Sequence, residues 1–449
     1  MNIERMIYMN NRKNMQQIVS TYSEPNGTQG ESRADRKNCP DYRMLAKDVY
    51  VSNDTHRTKL NNNDCVCGSS GRGKTTGYVS PLISQMCGSM IIADTKNTLY
   101  EKHREELEVS GYRVLRLDML QGEDTCCYNP LDYVRYDPET DHYNEKDIIA
   151  LTEMLCPLDM DKREPFWPQS AQMLLSALIA YVLEAVDYEE HTMGSVLLLF
   201  EAGCIKGNLD KIFAEHEAAF PDSFAARRYK RFCVVTQAEK CYSSIMMFVA
   251  NAVNGFDCAE TRGIFSKTDI DFTRIGQERT AVFVNVSDTD RSVDRIVNIF
   301  YAHAFHKLIG FADHQPEKQL PVEVRFILDD FATNTVIPNF SQIISVIRSR
   351  RICVSIILQN ISQLRELYSE AAADTIISNC DHLLFLGTTE VNTAKFMGEK
   401  MNVPFFTILN LPIEDAYLFE SGSTKGGIRV TKYRPAYFED DNEGEFICN

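Results

Sequence analysis

The octet GSSGRGKT at residues 68–75 constrains this chain more than any other stretch. It fits G-x-x-x-x-G-K-[ST], a loop that wraps a phosphate chain in inward-pointing backbone N–H groups. Gly68, Gly71 and Gly73 permit the backbone turns such a wrap needs. Ser69, Ser70 and Arg72 complete the loop, and Thr76 opens a helix whose positive end faces the anion. Lys74 has the reach for β- and γ-phosphates, and the Thr75 hydroxyl suits Mg²⁺. The expected ligands are therefore ATP and Mg²⁺. An ordinary Gly/Ser loop competes with this reading, but the context disfavours it. Apolar residues follow at helical spacing (Tyr78, Val79, Leu82, Ile83), and an apolar run at 89–94 reads as a strand.

A length of 449 residues points to two or three domains, and 44% apolar content supports a packed core. The formal charge of −16 argues against a chain coated in nucleic acid, so contact with DNA has to be local. The dense basic spots are Arg227 to Arg231 and the trio Arg348, Arg350 and Arg351. For the first, a solvated helix face and a binding role weigh about equally. The 14 cysteines form no repeated framework and no C-x-x-C pair, which suits a reducing cytoplasm. The longest apolar run, 173–186, carries Glu184 and falls short of the ~20 residues of a membrane span.

The fold class expected is α/β with an all-α insertion. Residues 1–45 read as a polar arm. Residues 46–140 alternate strand and helix, with strands at 89–94 and 112–117 around a helix at 98–109, a parallel winding. Residues 141–274 read mainly helical, with apolar positions three and four apart, as in Ile148, Leu151 and Leu155. Alternation resumes over 275–449: strand 280–286, helix 290–309, strand 324–328, helix 339–349, and strands 352–358 and 382–386.

The strand at 324–328 ends in Asp329 and Asp330, the form of a Walker B element. Asp329 is expected in the Mg²⁺ shell and Asp330 as the base that polarises water. Asp330 stands where Glu is usual and is one methylene shorter. A displacement near 1 Å costs about 10²-fold in rate, so slow turnover is anticipated. Gln359 ends the following strand and suits a water-orienting or γ-phosphate-sensing role. Arg348, near the end of the intervening helix, is a candidate arginine finger acting from a neighbouring subunit, with Arg350 and Arg351 as rivals.

From about residue 64 to 439 the chain resembles the type IV coupling proteins, conjugative DNA-transfer ATPases of the TraG/TraD class. Besides the loop, the resemblance rests on IADTKN at 92–97, which is similar to the family's T-D-P-K-G segment, and on the stretches at 111–114 and 128–131. It also rests on Pro165-Phe-Trp, on 286–291 and, at greatest length, on LDDFATNTVIPNFSQIISVIRSRRICVSIILQNISQL and DTIISNCDHLLFLG. The resemblance implies a RecA-like P-loop NTPase domain with an inserted all-α domain. It implies a homo-hexameric ring formed on ATP or DNA binding, with ATP between subunits. It further implies recruitment of a relaxase bound to single-stranded DNA, and delivery to type IV secretion channel proteins. Carried over by position, Lys74, Thr75, Asp329, Asp330, Gln359 and Arg348 match the catalytic set; Asp94 and Lys96 match a segment of open role.

The chain departs from the pattern at Asp330, at Thr95 and Asn97 in place of Pro and Gly, and at Arg72, a large cation inside the loop. The N-terminal transmembrane helices of many members are not seen. The expectation is a cytoplasmic protein at the inner face of the cell membrane, held by a separate anchor protein. Two alternatives remain. One is a nucleotide-gated cargo receptor with little turnover; the other is a duplex-DNA translocase, which fits the internal α-domain less well.

Overall fold

The computed structural model describes residue 39 and residues 41–435, except 120–123, 162, 206, 237–238, 260–261, 286–290 and 332–335. Most of the expected arm, nearly all of the 286–291 stretch and the tail from 436 lie outside the described residues. Strands β1 (Tyr42–Ala46) and β2 (Val49–Ser52) form an antiparallel hairpin. Then come β3 (Asp64–Gly68), β4 (Ser89–Asp94), β5 (Arg113–Asp118), and the short pair β6 (Tyr136–Asp137) and β7 (His142–Tyr143). After the helical insertion follow β8 (Thr280–Asn285), β9 (Val324–Leu328), β10 (Ile352–Leu358), β11 (His382–Gly387), β12 (Asp415–Glu420) and β13 (Ile428–Thr431).

One sheet has the order β13-β12-β11-β3-β10-β9-β4-β8-β5. From β11 to β5 every pairing is parallel; β12 and β13 add an antiparallel edge. The parallel strands are unbroken apolar runs, such as Ile352–Leu358, because helices cover both faces. The order matters for function. It inserts a single strand, β10, between β3 and β9, so the loops after all three open at one carboxyl edge.

Between β5 and β8 the chain builds the expected helical unit: Glu145–Leu155, Phe166–Ala185, Met193–Gly203, Asn208–Ala219, Phe224–Val235 and Glu239–Val253. Phe166–Ala185 is its axis, with Leu174, Leu175, Leu178 and Ile179 fully buried. This helix has 20 residues, longer than its apolar run, because Pro168 is accepted in the first turn where its missing N–H has no partner to lose. Among the described residues it is the one helix long and apolar enough to cross a membrane, and 67% of its most apolar window is buried inside the fold.

Several boundaries move. The last residues of the expected arm are the buried strand β1. The helix expected at 290–309 is Asp294–His314, and the one at 339–349 ends at Val346 and tightens to a 3₁₀ turn, Arg348–Arg350. Left-handed Arg351 (φ 58°) then turns the chain into β10.

Strand β1 enters the fold through charge. Arg43, fully buried, donates from Nε and Nη2 to the Asp64 carboxylate at 2.8–3.2 Å. Arg325 on β9 adds an Nη1 bond of 3.2 Å, and the Tyr78 hydroxyl donates to Asp64 at 2.7 Å. The His382 ring faces Arg43 Nη2 at 2.9 Å. An arginine only donates, so His382 Nδ1 accepts and the ring is neutral. Burial, then Arg43, pull its pKa to about 3. For Asp64, burial pushes upward, but the Arg43 and Arg325 guanidiniums outweigh it and hold the carboxyl at about 2.

Asp64→Asn leaves two buried guanidiniums without their counter-charge and is expected to cost ~3–5 kcal/mol in urea unfolding at pH 7. The Asp64 pKa lies below its unfolded value of 3.8. Its contribution is therefore full above that value and disappears as pH falls through about 2, so wild type and variant should converge in that window.

Candidate nucleotide-binding site

Strand β3 delivers Gly68 to the carboxyl edge, where a Cβ would lie 2.9 Å from the Leu386 Cβ. The loop then turns through Gly71 (φ 73°) and Gly73 (φ 82°), left-handed conformations that other residues adopt only under strain. The Ser69 N–H donates to the Gly387 carbonyl at 3.0 Å, pinning the loop to β11. Ser70 and Gly71 form its exposed rim. Behind the loop a π-helical turn, Thr75–Val79, which contains Thr76, runs into Ser80–Ser84. The first N–H groups of such a helix have no intrahelical partner and are free for an anion. Lys74 folds into the loop, its Nζ donating to the Gly68 carbonyl at 2.9 Å.

The Thr75 hydroxyl donates to Asp329 Oδ2 at 2.9 Å. Asp329 is 8% exposed at the end of β9, and its Oδ1 accepts the Asp330 N–H at 3.0 Å. Burial, then the adjacent Asp330 carboxylate, raise its pKa to about 6. Asp330 has left-handed backbone (φ 50°), which Asp tolerates better than most residues. Gln359 Nε2, at the end of β10, donates to Asp330 Oδ1 at 3.3 Å. Lys74, Thr75, Asp329, Asp330 and Gln359 thus converge from three neighbouring strand ends.

Other expected residues go elsewhere. The Arg72 N–H closes a turn onto the Ser69 carbonyl at 3.3 Å. Its guanidinium lies against Gly387, where an added Cβ would sit 3.2 Å from Cζ, and Nη1 donates to the Leu411 carbonyl at 3.4 Å. The cation is therefore directed to the β11 flank of the loop. Asp94, whose role was open, accepts the Tyr100 N–H at 2.8 Å and caps the helix Thr98–Val109. Asn97 takes the left-handed conformation (φ 55°) open to the glycine it replaces, so the local turn survives the substitution. Lys96 is exposed.

Arg348 precedes β10 and so sits at the amino edge of the sheet, opposite the loop of its own chain; Nη2 donates to the Lys59 carbonyl at 2.7 Å. Arg350 holds Asp313 through Nε and Nη2 (2.8 and 3.1 Å), and Arg351 donates to the Leu320 and Pro321 carbonyls. In the other basic stretch, Arg227 pairs with Glu145, Lys230 with Glu217, and Arg228 donates to Ser176. For these three the solvated-face reading fits better than an open basic patch.

Sequence reasoning missed Lys432. Buried behind the loop, its Nζ donates to the Leu386 and Ile413 carbonyls at 2.6 and 2.8 Å, and the next residue's carbonyl lies 3.0 Å from where a Gly77 Cβ would stand. No local pattern marks a lysine that packs under a helix 355 positions earlier; only β13 pairing brings it there.

A glycine-rich loop and an acidic strand end meeting at the carboxyl edge of a parallel sheet define a P-loop nucleotide-binding protein. The chain belongs to the type IV secretory system conjugative DNA transfer family, whose match covers residues 14–401. It is 23% identical over 378 residues to the protein VirD4 of Agrobacterium fabrum, covering 83% of this chain and 54% of that protein. It is 27% identical over 118 residues to the conjugal transfer protein TraG of Escherichia coli, covering 25% of this chain and 17% of that one. The chain spans about half the length of the VirD4 relatives. Its fold is similar to the unbound bacterial conjugative coupling protein TrwBdeltaN70, with TM-score 0.66, 14% identity and 91% and 93% of the two chains covered. TrwB in complex with ADP and Mg²⁺ aligns with TM-score 0.65, 14% identity and 91% and 90% coverage. The fold is thus a RecA-like P-loop NTPase domain with an inserted all-α domain.

The raised Asp329 pKa carries a stability consequence. The folded state binds a proton more readily than the unfolded chain, so this group's contribution falls as pH rises from about 4 through about 6. Without nucleotide, Asp329→Asn should gain stability over wild type at pH 7.5 relative to pH 5, by about 1 kcal/mol. Urea unfolding of both proteins at the two pH values measures it.

Proposed function

We propose that this chain is a coupling ATPase of conjugation. It binds Mg-ATP, hydrolyses it, and uses the cycle to deliver a relaxase with its single-stranded DNA to the channel proteins of a type IV secretion system. The observation that carries the reading is the 2.9 Å meeting of the Thr75 hydroxyl and the Asp329 carboxylate beside Lys74. Two structural neighbours are TrwB in complex with ADPNP and TrwB in complex with ADP and Mg²⁺.

The residues fit a Mg²⁺ ion: two oxygen donors converge, and Asp329 and Asp330 set adjacent carboxylates at one strand end. When bound, the ion neutralises charge on the β- and γ-phosphate oxygens. The loop residues Gly68 to Gly73 and Thr76 cradle the phosphates through backbone N–H groups. Lys74 leaves the Gly68 carbonyl for the phosphate oxygens, exchanging one acceptor for a charged one. Asp330 accepts the proton of the attacking water, and Gln359, already bonded to Asp330, orients that water. In a homo-hexameric ring assembled on ATP or DNA, Arg348 serves the neighbour's site. Its location at the opposite edge suits a role in trans, and it must first release the Lys59 carbonyl. The helical unit selects cargo at the cytoplasmic face of the membrane, with a separate protein as anchor.

The second reading, a nucleotide-gated receptor with little turnover, is favoured by one feature. The short Asp330 side chain is tied to Gln359 rather than extended into the site.

Steady-state ATP hydrolysis with and without single-stranded DNA separates the two. The motor predicts DNA-stimulated turnover, a fall of about 10²-fold or more in Lys74→Ala, and about 10³-fold in Arg348→Ala with ATP affinity retained. A silent wild type whose Asp330→Glu variant hydrolyses ATP establishes the receptor instead.

A further inference from the structure

The chain enters the helical unit through Val134 and Arg135 and leaves it past Thr273, and both crossings border one cavity of about 540 Å³. It lies between the helix Glu145–Leu155 and the helix Asp294–His314, a size and a domain-boundary setting typical of small-molecule sites. Val134, Met154, Ile309 and Phe311 supply apolar walls. Ala150 and Gly310 leave the space open; a Cβ on Gly310 would meet nothing within 4 Å.

Among the described residues, Lys307 is a cation lining this cavity with no hydrogen-bonded counter-ion. The Lys307 ammonium lies 5.7 Å above the Tyr133 ring, and it has no hydrogen bond or ion pair among the described residues. Burial draws its pKa down while Asp147 draws it up. Asp147 is the nearby carboxylate, and it pairs with Arg135, its two oxygens accepting from Nε and Nη2 at 2.7 Å each. Deeper in, His303 Nδ1 and the Tyr128 hydroxyl share a hydrogen bond of 2.8 Å, and burial with His306 and Lys307 nearby pulls the His303 pKa to about 3, so the ring is neutral. The surroundings offer an apolar body a place to bury and leave a single positive charge to be met.

We propose that this cavity binds a small amphipathic anion, an apolar body carrying one sulfonate, carboxylate or phosphate group held by Lys307. Because both crossings line the site, an occupant ties the helical unit to the helix Asp294–His314 of the sheet domain.

The test titrates the full chain with 1-anilinonaphthalene-8-sulfonate and with its uncharged analogue N-phenyl-1-naphthylamine, following fluorescence. Saturable binding of one sulfonate per chain is expected. Lys307→Met should weaken it about 10-fold or more, as for a lost charge-assisted bond, while the neutral probe shifts less than about twofold. Gly310→Trp should fill the cavity and abolish both; Ala150→Leu serves if that variant does not fold. Melting temperature checks that each variant is intact. The proposal is overturned if neither probe saturates, or if folded Lys307→Met and cavity-filling variants bind the sulfonate as wild type does. No nucleotide is used, so the outcome is independent of the ATPase reading.

Discussion

Thr75 and Asp329 are separated by 254 positions and share one hydrogen bond. That contact exists because a single strand, β10, lies between β3 and β9, and because all three run in the same direction. Parallel strands send their following loops to one edge, and neighbouring strands lie about 4.8 Å apart. Two strand ends one strand apart are then close enough for a threonine and an aspartate to touch. The same strand carries Gln359 into the gap, beside Asp330. The candidate nucleotide site is a consequence of strand order.

The two edges of the sheet handle buried charge in opposite ways. At the amino edge Asp64 is enclosed by two guanidiniums and a tyrosine hydroxyl, and its carboxyl is held low. At the carboxyl edge Asp329 is almost as buried, but the charge that acts on it most strongly is another carboxylate, which outweighs Lys74, and its pKa is raised. The first arrangement welds β1, β3, β9 and the helix behind the loop into one body. The second leaves negative charge only partly compensated where a cation and phosphates are expected. A site of that kind costs stability in the absence of ligand and regains it on binding.

Much of this was legible. The loop, the acidic strand end and Gln359 are local patterns whose chemistry sits in consecutive residues. The helical insertion was legible because its apolar period persists for more than a hundred positions, from Ile148 to Val253. Strand β1 was not: its ladder is ordinary, but the polar sequence before it conceals an arginine buried by charge pairing rather than by apolar character. Helix ends slipped where a cap or a left-handed residue, such as Arg351, ends the helix ahead of its periodic pattern.

By itself the sequence determined that a phosphate loop, an acidic strand end and a helical insertion exist, because each is written in neighbouring residues with a fixed period or spacing. The tertiary structure alone decided where the arginines point. Arg72 turns from the loop to the β11 flank because Gly387 leaves room there, and Arg348 occupies the far edge because it precedes its strand rather than following it. It alone set Lys307 over an open cavity, while the nearby Asp147 pairs with Arg135. Side-chain direction and pairing are set by which elements become neighbours, and that information is spread over the whole chain.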